Sequence, residues 1–237
     1  MYKRQVHKKY DINTGILSGD VMLIYAYKYL LELEKKEVVP EILSIFTKVS
    51  TEVCIGQQYD INFETAKNVT IDEYLQMIES KTAALIAGAM STGALLAGAT
   101  KADCQNLYEF GLNIGIAFQL QDDLLDTFGN AATFGKRIGG DIVQNKKTYL
   151  VLTALEKVNS SQRKQLEKLL SSRPVEEEEK IKVVTQLFND LKIKELANQK
   201  KDAYHLKALK NLEALDIDAE KLRPLINLAE SLLQRVQ

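Results

Sequence analysis

Apolar residues recur at three- and four-residue intervals over stretches of twenty positions and more, and no alternating apolar–polar run lasts long enough to build a sheet. A chain patterned in this way can bury its apolar stripes only by packing helix on helix. The first long helix is expected to follow Asn13 and Thr14 through ILSGDVMLIYAYKYLLELE. Pro40 suits the first turn of a second, EILSIFTKVSTEVCIGQQYDINFE, because its missing N–H would have no helical partner there. Thr70 and Glu73 have capping-box spacing and open a third helix that continues past Lys81. A fourth spans about Asp103 to Phe128 and stops at Gly129. The loop NAATFGKRIGG then leads to a helix expected from Asp141 to Val158, followed by further helices, with EEEEK at 176–180 expected to be solvated. Pro is scarce, and neither an internal repeat nor a linker interrupts the pattern. The expected architecture is all-α, a single large helical bundle.

One segment needs a membrane test. TAALIAGAMSTGALLAGAT, residues 82–100, carries no charge over nineteen positions, near the length of a span. It is diluted with Ala, Gly, Ser and Thr, and its glycines at 88, 93 and 98 are five apart, so it lacks a GxxxG seam. A central bundle helix, whose small residues let neighbouring backbones approach, accounts for it better. MYKRQVHKKYDINT has no apolar core of a secretory signal, so the chain is expected to be cytoplasmic and not an integral membrane protein. A net charge of −1 argues against a general nucleic-acid binder. Cys54 and Cys104 stand in apolar surroundings without CxxC spacing and are expected to be reduced core residues.

Polar residues that cost energy to bury point to chemistry. In FQLQDDLLDTFG, residues 118–129, Gln119, Asp122, Asp123 and Asp126 stand at i, i+3, i+4 and i+7 and share one helix face. Two carboxylates ~4 Å apart repel by about 4 kcal/mol at an effective dielectric near 20, so such a stripe wants a cation. With no His or Cys nearby, the donor set suits a hard divalent ion such as Mg²⁺, which keeps waters and bridges to phosphates. An exposed acidic face paired with lysines of a neighbouring helix would show the same spacing. Gln57, Asp60 and Glu64 repeat the pattern at i, i+3 and i+7, and a solvated stripe accounts for them equally well. Lys81 and Thr82 stand at the entry to the charge-free helix, Lys136 lies in the glycine-bearing loop, and Asp141, Lys146 and Lys147 follow it. Carboxylates to hold metal and lysines to neutralise phosphate oxygens are what a metal–diphosphate site requires.

FQLQDDLLD followed by FGKRIGGDIVQNKKTYL resembles the second aspartate-rich motif and the following lysine motif of the trans-isoprenyl diphosphate synthases, the polyprenyl synthetase family. ILSGDVMLIYAY, VCIGQQYD and KTAAL precede it in the family's order, and the resemblance is strong over residues 6–158 and weak beyond. It implies a Mg²⁺-dependent prenyltransferase of isoprenoid biosynthesis with the isoprenoid-synthase bundle, condensing an allylic diphosphate with isopentenyl diphosphate as farnesyl, geranylgeranyl and polyprenyl diphosphate synthases do. By the same resemblance Asp122, Asp123 and Asp126 hold Mg²⁺, and Lys81, Lys136 and Lys146 bind the allylic diphosphate. Thr82 and Gln119 stand beside the reacting carbons, and Gln57 and Asp60, with Asp141, lie near the metal cluster. The family is usually homodimeric, so the resemblance implies a homodimer when full length. GKRIGGDIVQNKKTY favours a synthase over a terpene cyclase, and the retained second motif and lysines disfavour a non-catalytic partner subunit of a heteromeric synthase.

The family's first DDxxD and its Arg pair precede the segment that here begins at Val6, and no second DDxxD occurs in the chain. MYKRQ, residues 1–5, does not resemble family sequence and is expected to be a non-native leader, with 6–237 the C-terminal portion of a synthase domain lacking its N-terminal helices. One carboxylate wall should hold a diphosphate weakly. The purified 237-residue chain is therefore expected to show little or no synthase activity with Mg²⁺ and both diphosphates; robust product formation would refute this.

Overall fold

The structure, a computed structural model, describes residues 5–130, 138–171 and 177–233. Every regular element among them is helical. In chain order these are α1 (Val6–Lys9), α2 (Ile12–Leu31), α3 (Val39–Thr65), α4 (Ile71–Ile78), a five-residue π-turn (Glu79–Ala83), α5 (Ala84–Ala97) and α6 (Lys101–Phe128). After the undescribed segment come α7 (Gly140–Val143), α8 (Tyr149–Lys157), α9 (Ser160–Ser171), α10 (Glu177–Asp190), α11 (Ile193–Glu213) and α12 (Ala219–Leu233).

Local chemistry sets the helix ends, and α2 begins at Ile12, so Asn13 and Thr14, expected to precede the helix, lie in its first turn. Asp11 caps α2 by accepting from the Thr14 amide at 2.8 Å, and Pro40 lies in the first turn of α3. Thr70 and Glu73 form the complete capping box at the head of α4. Thr100 caps α6, and Gly98, at φ 85°, closes α5 in a left-handed conformation that a side chain would resist.

α6 is the axis of the bundle. α5 packs along one side of it and α11 along another, while α3 lies against α5 and the π-turn. Close approach along α5 and α6 rests on small residues: a methyl at Gly111 would meet the Cα of Ala87 at 2.6 Å. Two apolar clusters result. One surrounds the C-terminal half of α6 with Tyr74, Ile78, Leu150 and Phe188; the other joins Phe110 and Ile114 to Leu212 and Leu222 of α11 and α12. The charge-free segment is the end of the π-turn and a fourteen-residue helix that buries one face and exposes the other, with Leu85 59% exposed, so it is not the fully enclosed central helix expected. No helix of the described residues is long and apolar enough to cross a membrane.

Three further expectations are corrected. The helix expected from Asp141 to Val158 breaks between α7 and α8: Asn145 turns left-handed at φ 59°, and Thr148 caps a new helix. Ile142 and Val143 keep helical phase with Tyr149 and Leu150, seven positions on, across the polar run QNKKT, so phase alone does not reveal the break. Lys180, at the end of the stretch expected to be solvated, is 2% exposed, and its Nζ donates to Asn145 Oδ1. The left-handed turn at Asn145 thus provides a polar partner inside the protein. Both cysteines are free, but Cys54 is exposed rather than in the core, because it lies on the face of α3 away from the bundle.

Replacing Phe110, which is fully buried, by Ala is expected to cost about 3–5 kcal/mol of unfolding free energy, measurable by urea denaturation. Thr70→Ala should cost only about 1 kcal/mol, because it removes a cap and leaves the core intact.

Candidate active site

At the C-terminal ends of α3 and α6, helices α4 and α8 and the π-turn enclose a cavity. Asp60 and Glu64 face it from α3, Tyr74 from α4, and Lys81 and Thr82 from the π-turn. Gln119, Asp122 and Asp123 enter from α6, Asp141 from α7, and Lys146 and Lys147 from the turn between α7 and α8. Residues more than eighty positions apart in sequence therefore share one small space. Of the residues singled out from sequence, Lys81, Thr82, Gln119, Asp122, Asp123, Asp60, Asp141 and Lys146 line it together. Gln57 is exposed on α3 and does not reach it, and Lys136 lies outside the described residues.

The three aspartates of α6 occupy three different environments. Asp122 is half-buried and faces the cavity. Asp123 is 3% exposed; its Oδ2 accepts from the Tyr74 hydroxyl at 2.5 Å and the Tyr149 amide at 3.3 Å, and its Oδ1 accepts from Gln119 Nε2 at 3.3 Å. Burial pushes its pKa up to about 7, with the negative charge of Asp141 adding to the rise and the hydrogen bonds from Tyr74, Gln119 and Tyr149 opposing it. Burial and the proximity of Asp123 together hold the Tyr74 hydroxyl far above its ordinary value, so it stays a donor. Asp126 is not part of the cavity lining. Its Oδ2 accepts from the Asp141 amide at 2.9 Å and its carbonyl from the Gly139 amide at 2.6 Å, so it anchors the turn that carries Asp141 to the cavity. Burial raises its pKa to about 6, partly offset by the Asp141 amide.

The cations are paired with carboxylates or carbonyls of the same site. Lys81 Nζ lies 2.6 Å from Asp60 Oδ2, and Lys146 Nζ lies 2.7 Å from Asp141 Oδ1. Burial works against the charge on Lys146, but Asp141, with Asp60 and Asp126, moves its pKa upward overall. Lys147 donates to the Phe63 carbonyl at 2.5 Å, and burial lowers its pKa. Thr82 donates its hydroxyl proton to Gln119 Oε1 at 3.2 Å, and Gln119 in turn donates to Asp123, so the amide has one orientation.

This arrangement can hold a polyanion between lysines and a cation between carboxylates. Among the described residues no three side chains close into a ready-made metal cluster. The donors that line the cavity are nevertheless all oxygen, which fits a hard divalent ion bound by one or two carboxylates, waters and ligand oxygens. Sequence reasoning missed Tyr74. Its signal was available: Tyr74, Met77, Ile78 and Lys81 stand at i, i+3, i+4 and i+7, and all four line the cavity.

A family model described as polyprenyl synthetase matches residues 3–188. The geranylfarnesyl diphosphate synthase of Natronomonas pharaonis is 43% identical over 150 residues, covering 63% of this chain and 44% of that protein. A crystal structure of a geranylgeranyl pyrophosphate synthase superposes with a TM-score of 0.91 at 39% identity, covering 98% of this chain and 72% of the other. The geranylgeranyl pyrophosphate synthase of Corynebacterium glutamicum, in complex with isoprenyl diphosphate and magnesium, matches with a TM-score of 0.86 at 30% identity, over 96% of this chain and 64% of that one. The chain spans about half the length of several curated relatives that it matches, the Natronomonas protein among them.

Between an ordinary carboxylate pKa of 3.8 and the folded value of about 7, folded Asp123 holds a proton that the unfolded chain has lost. Stability of the chelator-treated protein should therefore fall as pH rises through that window, by on the order of a few kcal/mol, and level off above it. Asp126, raised to about 6, adds to the slope below that pH, so Asp123→Asn should flatten it chiefly between about pH 6 and 7 in urea titrations at pH steps; an unchanged slope there would dissociate it from Asp123.

Proposed function

Because the chain belongs to the polyprenyl synthetase family, we propose that its cavity binds the diphosphate of an allylic substrate for condensation with isopentenyl diphosphate. The observation that carries this reading is the cavity itself, in which Lys81, Lys146 and Lys147 stand opposite Asp60, Asp122 and Asp141, beside the Thr82–Gln119 pair. In the reaction the allylic C–O bond breaks and its electron pair leaves with the diphosphate. The double bond of isopentenyl diphosphate then forms the new C–C bond, and a proton is lost.

Two of these lysines act directly in this chemistry. The ammonium groups of Lys81 and Lys146 exchange a carboxylate partner for phosphate oxygens, and they stabilise negative charge as it grows on the leaving group. Because its hydroxyl proton is engaged by Gln119 Oε1, Thr82 Oγ1 keeps its lone pairs available to stabilise positive charge that develops on the allylic group. Tyr74 and the first amide of α8 hold Asp123 in place. A hard divalent ion such as Mg²⁺ would supply charge neutralisation for the diphosphate, with Asp122 and Asp123 as its holders on α6. We assign Asp126 the support of that wall, through the turn that carries Asp141.

The experiment is calorimetric titration of the 237-residue chain with inorganic pyrophosphate in the presence of Mg²⁺. Binding is expected to be lost in chelator and weakened about tenfold or more by Lys81→Gln and by Lys146→Gln, the loss of one charge-assisted contact each. No binding by the wild type at millimolar pyrophosphate would sink the proposal.

We also assign the chain a second copy of itself as partner. α2 has no buried residue along its twenty positions, and Ile12, Ile16, Met22, Ile24 and Tyr29 are all more than half exposed. An apolar surface of this extent marks an association face. Light scattering on the eluting protein should give twice the 26.7 kDa chain mass, and Ile16→Glu with Ile24→Glu should shift it to the monomer.

A further inference from the structure

Lys81 and Thr82 are adjacent in sequence, yet they serve opposite walls: Lys81 pairs with Asp60 of α3, and Thr82 with Gln119 of α6. They do so from a five-residue π-turn wedged between these two helices. A π-turn inserts a residue into a helix and redirects the side chains beyond it, at a cost in helical hydrogen bonding that packing must offset.

The packing is unusual on both sides. Gly56 of α3 touches the π-turn at Lys81: a methyl there would lie 2.8 Å from the Lys81 Cα and 2.9 Å from its Cβ, and closer still to its amide nitrogen. Gly115 of α6 touches it at Ala83, where a methyl would lie 2.6 Å from the Cα and 2.7 Å from the Cβ. Both glycines are buried, and what they touch includes backbone, which cannot swing aside. Each stands four residues, one helical turn, before the polar partner on its own helix: Gly56 before Asp60, Gly115 before Gln119. The two helices thus present the same arrangement to the turn, a bare backbone with an acceptor one turn above it.

We propose that Gly56 and Gly115 are positioning residues: they seat the π-turn deep enough between α3 and α6 for Lys81 and Thr82 to reach their partners. A side chain at either glycine lifts the turn away from that helix. Lys81 then loses Asp60, or Thr82 loses Gln119, with the cavity otherwise complete. The positional claim stands on the packing alone; its consequence for diphosphate binding rests on the proposed function.

The test compares Gly56→Ala and Gly115→Ala with Gly111→Ala in the full chain. Gly111→Ala overpacks the α5 backbone as severely, at Ala87, but does not touch the π-turn. Acetylation read by mass spectrometry reports the accessibility of Lys81, with exposed Lys67 as internal standard, and calorimetry reports binding of pyrophosphate with Mg²⁺. Lys81 should react about threefold faster in Gly56→Ala, the scale of losing a part-exposed ion pair, and at the wild-type rate in Gly111→Ala. Pyrophosphate binding should weaken about tenfold in Gly56→Ala and Gly115→Ala, and hardly in Gly111→Ala. An unchanged Lys81 rate in Gly56→Ala, or an equal rise in Gly111→Ala, overturns the proposal. If Gly56→Ala does not fold, Gly115→Ala decides by its pyrophosphate binding against Gly111→Ala. If neither folds while Gly111→Ala does, the glycines serve the fold as a whole and the proposal fails. A wild type that ignores pyrophosphate removes the proposed function and leaves the acetylation comparison to decide positioning.

Discussion

The site end of the bundle depends on the cost of burying Asp123. A carboxylate 3% exposed on the central helix must be met by donors, and two of its three donors come from other stretches of chain. The Tyr74 hydroxyl arrives from α4, the Tyr149 amide from the first turn of α8, and the Gln119 amide from one turn earlier on α6. The first two hold α4 and α8 in one register against α6, because a slip would leave a buried polar group unpaired. Asp126 does the same one turn on, gripping the turn at Gly139–Asp141. Two acidic residues that weaken α6 as an apolar helix thus determine how α4, α7 and α8 meet it.

The second constraint is distance between backbones. Lys81 and Thr82 can pair with opposite helices only because α3 and α6 both approach the π-turn to within contact of bare glycine backbone. The apolar body of the bundle, from Phe110 down to Leu222, supplies the stiffness that makes so close an approach reproducible. The polar end supplies little stability of its own: its ion pairs, Lys81 with Asp60 and Lys146 with Asp141, are part-exposed and worth about 1 kcal/mol or less each. Such pairs are readily exchanged for a stronger anion.

Much of this was legible before any coordinates. The helical class, the caps at Thr70 and the stop at Phe128 follow from periodicity and local hydrogen-bonding rules, which need only neighbours in sequence. So does the shared face of Gln119, Asp122 and Asp123. Tyr74 was not legible as a partner of Asp123, because the bond spans forty-nine positions and a tyrosine on an apolar stripe reads as core. The break at Asn145 and the burial of Lys180 were hidden together: each supplies the other's hydrogen-bond partner, and neither makes sense alone.

The sequence by itself determined that this chain is a helical bundle of the polyprenyl synthetase family carrying an oxygen-rich stripe with lysines near it in order. Helical phase is a local property, so it could say which side chains share a face. It could not say that Asp122 faces the cavity while Asp126 turns away to hold a neighbouring loop, since both lie on that face. Only the tertiary structure decided this, because the direction of a buried carboxylate is set by whichever donors, distant in sequence, arrive to satisfy it.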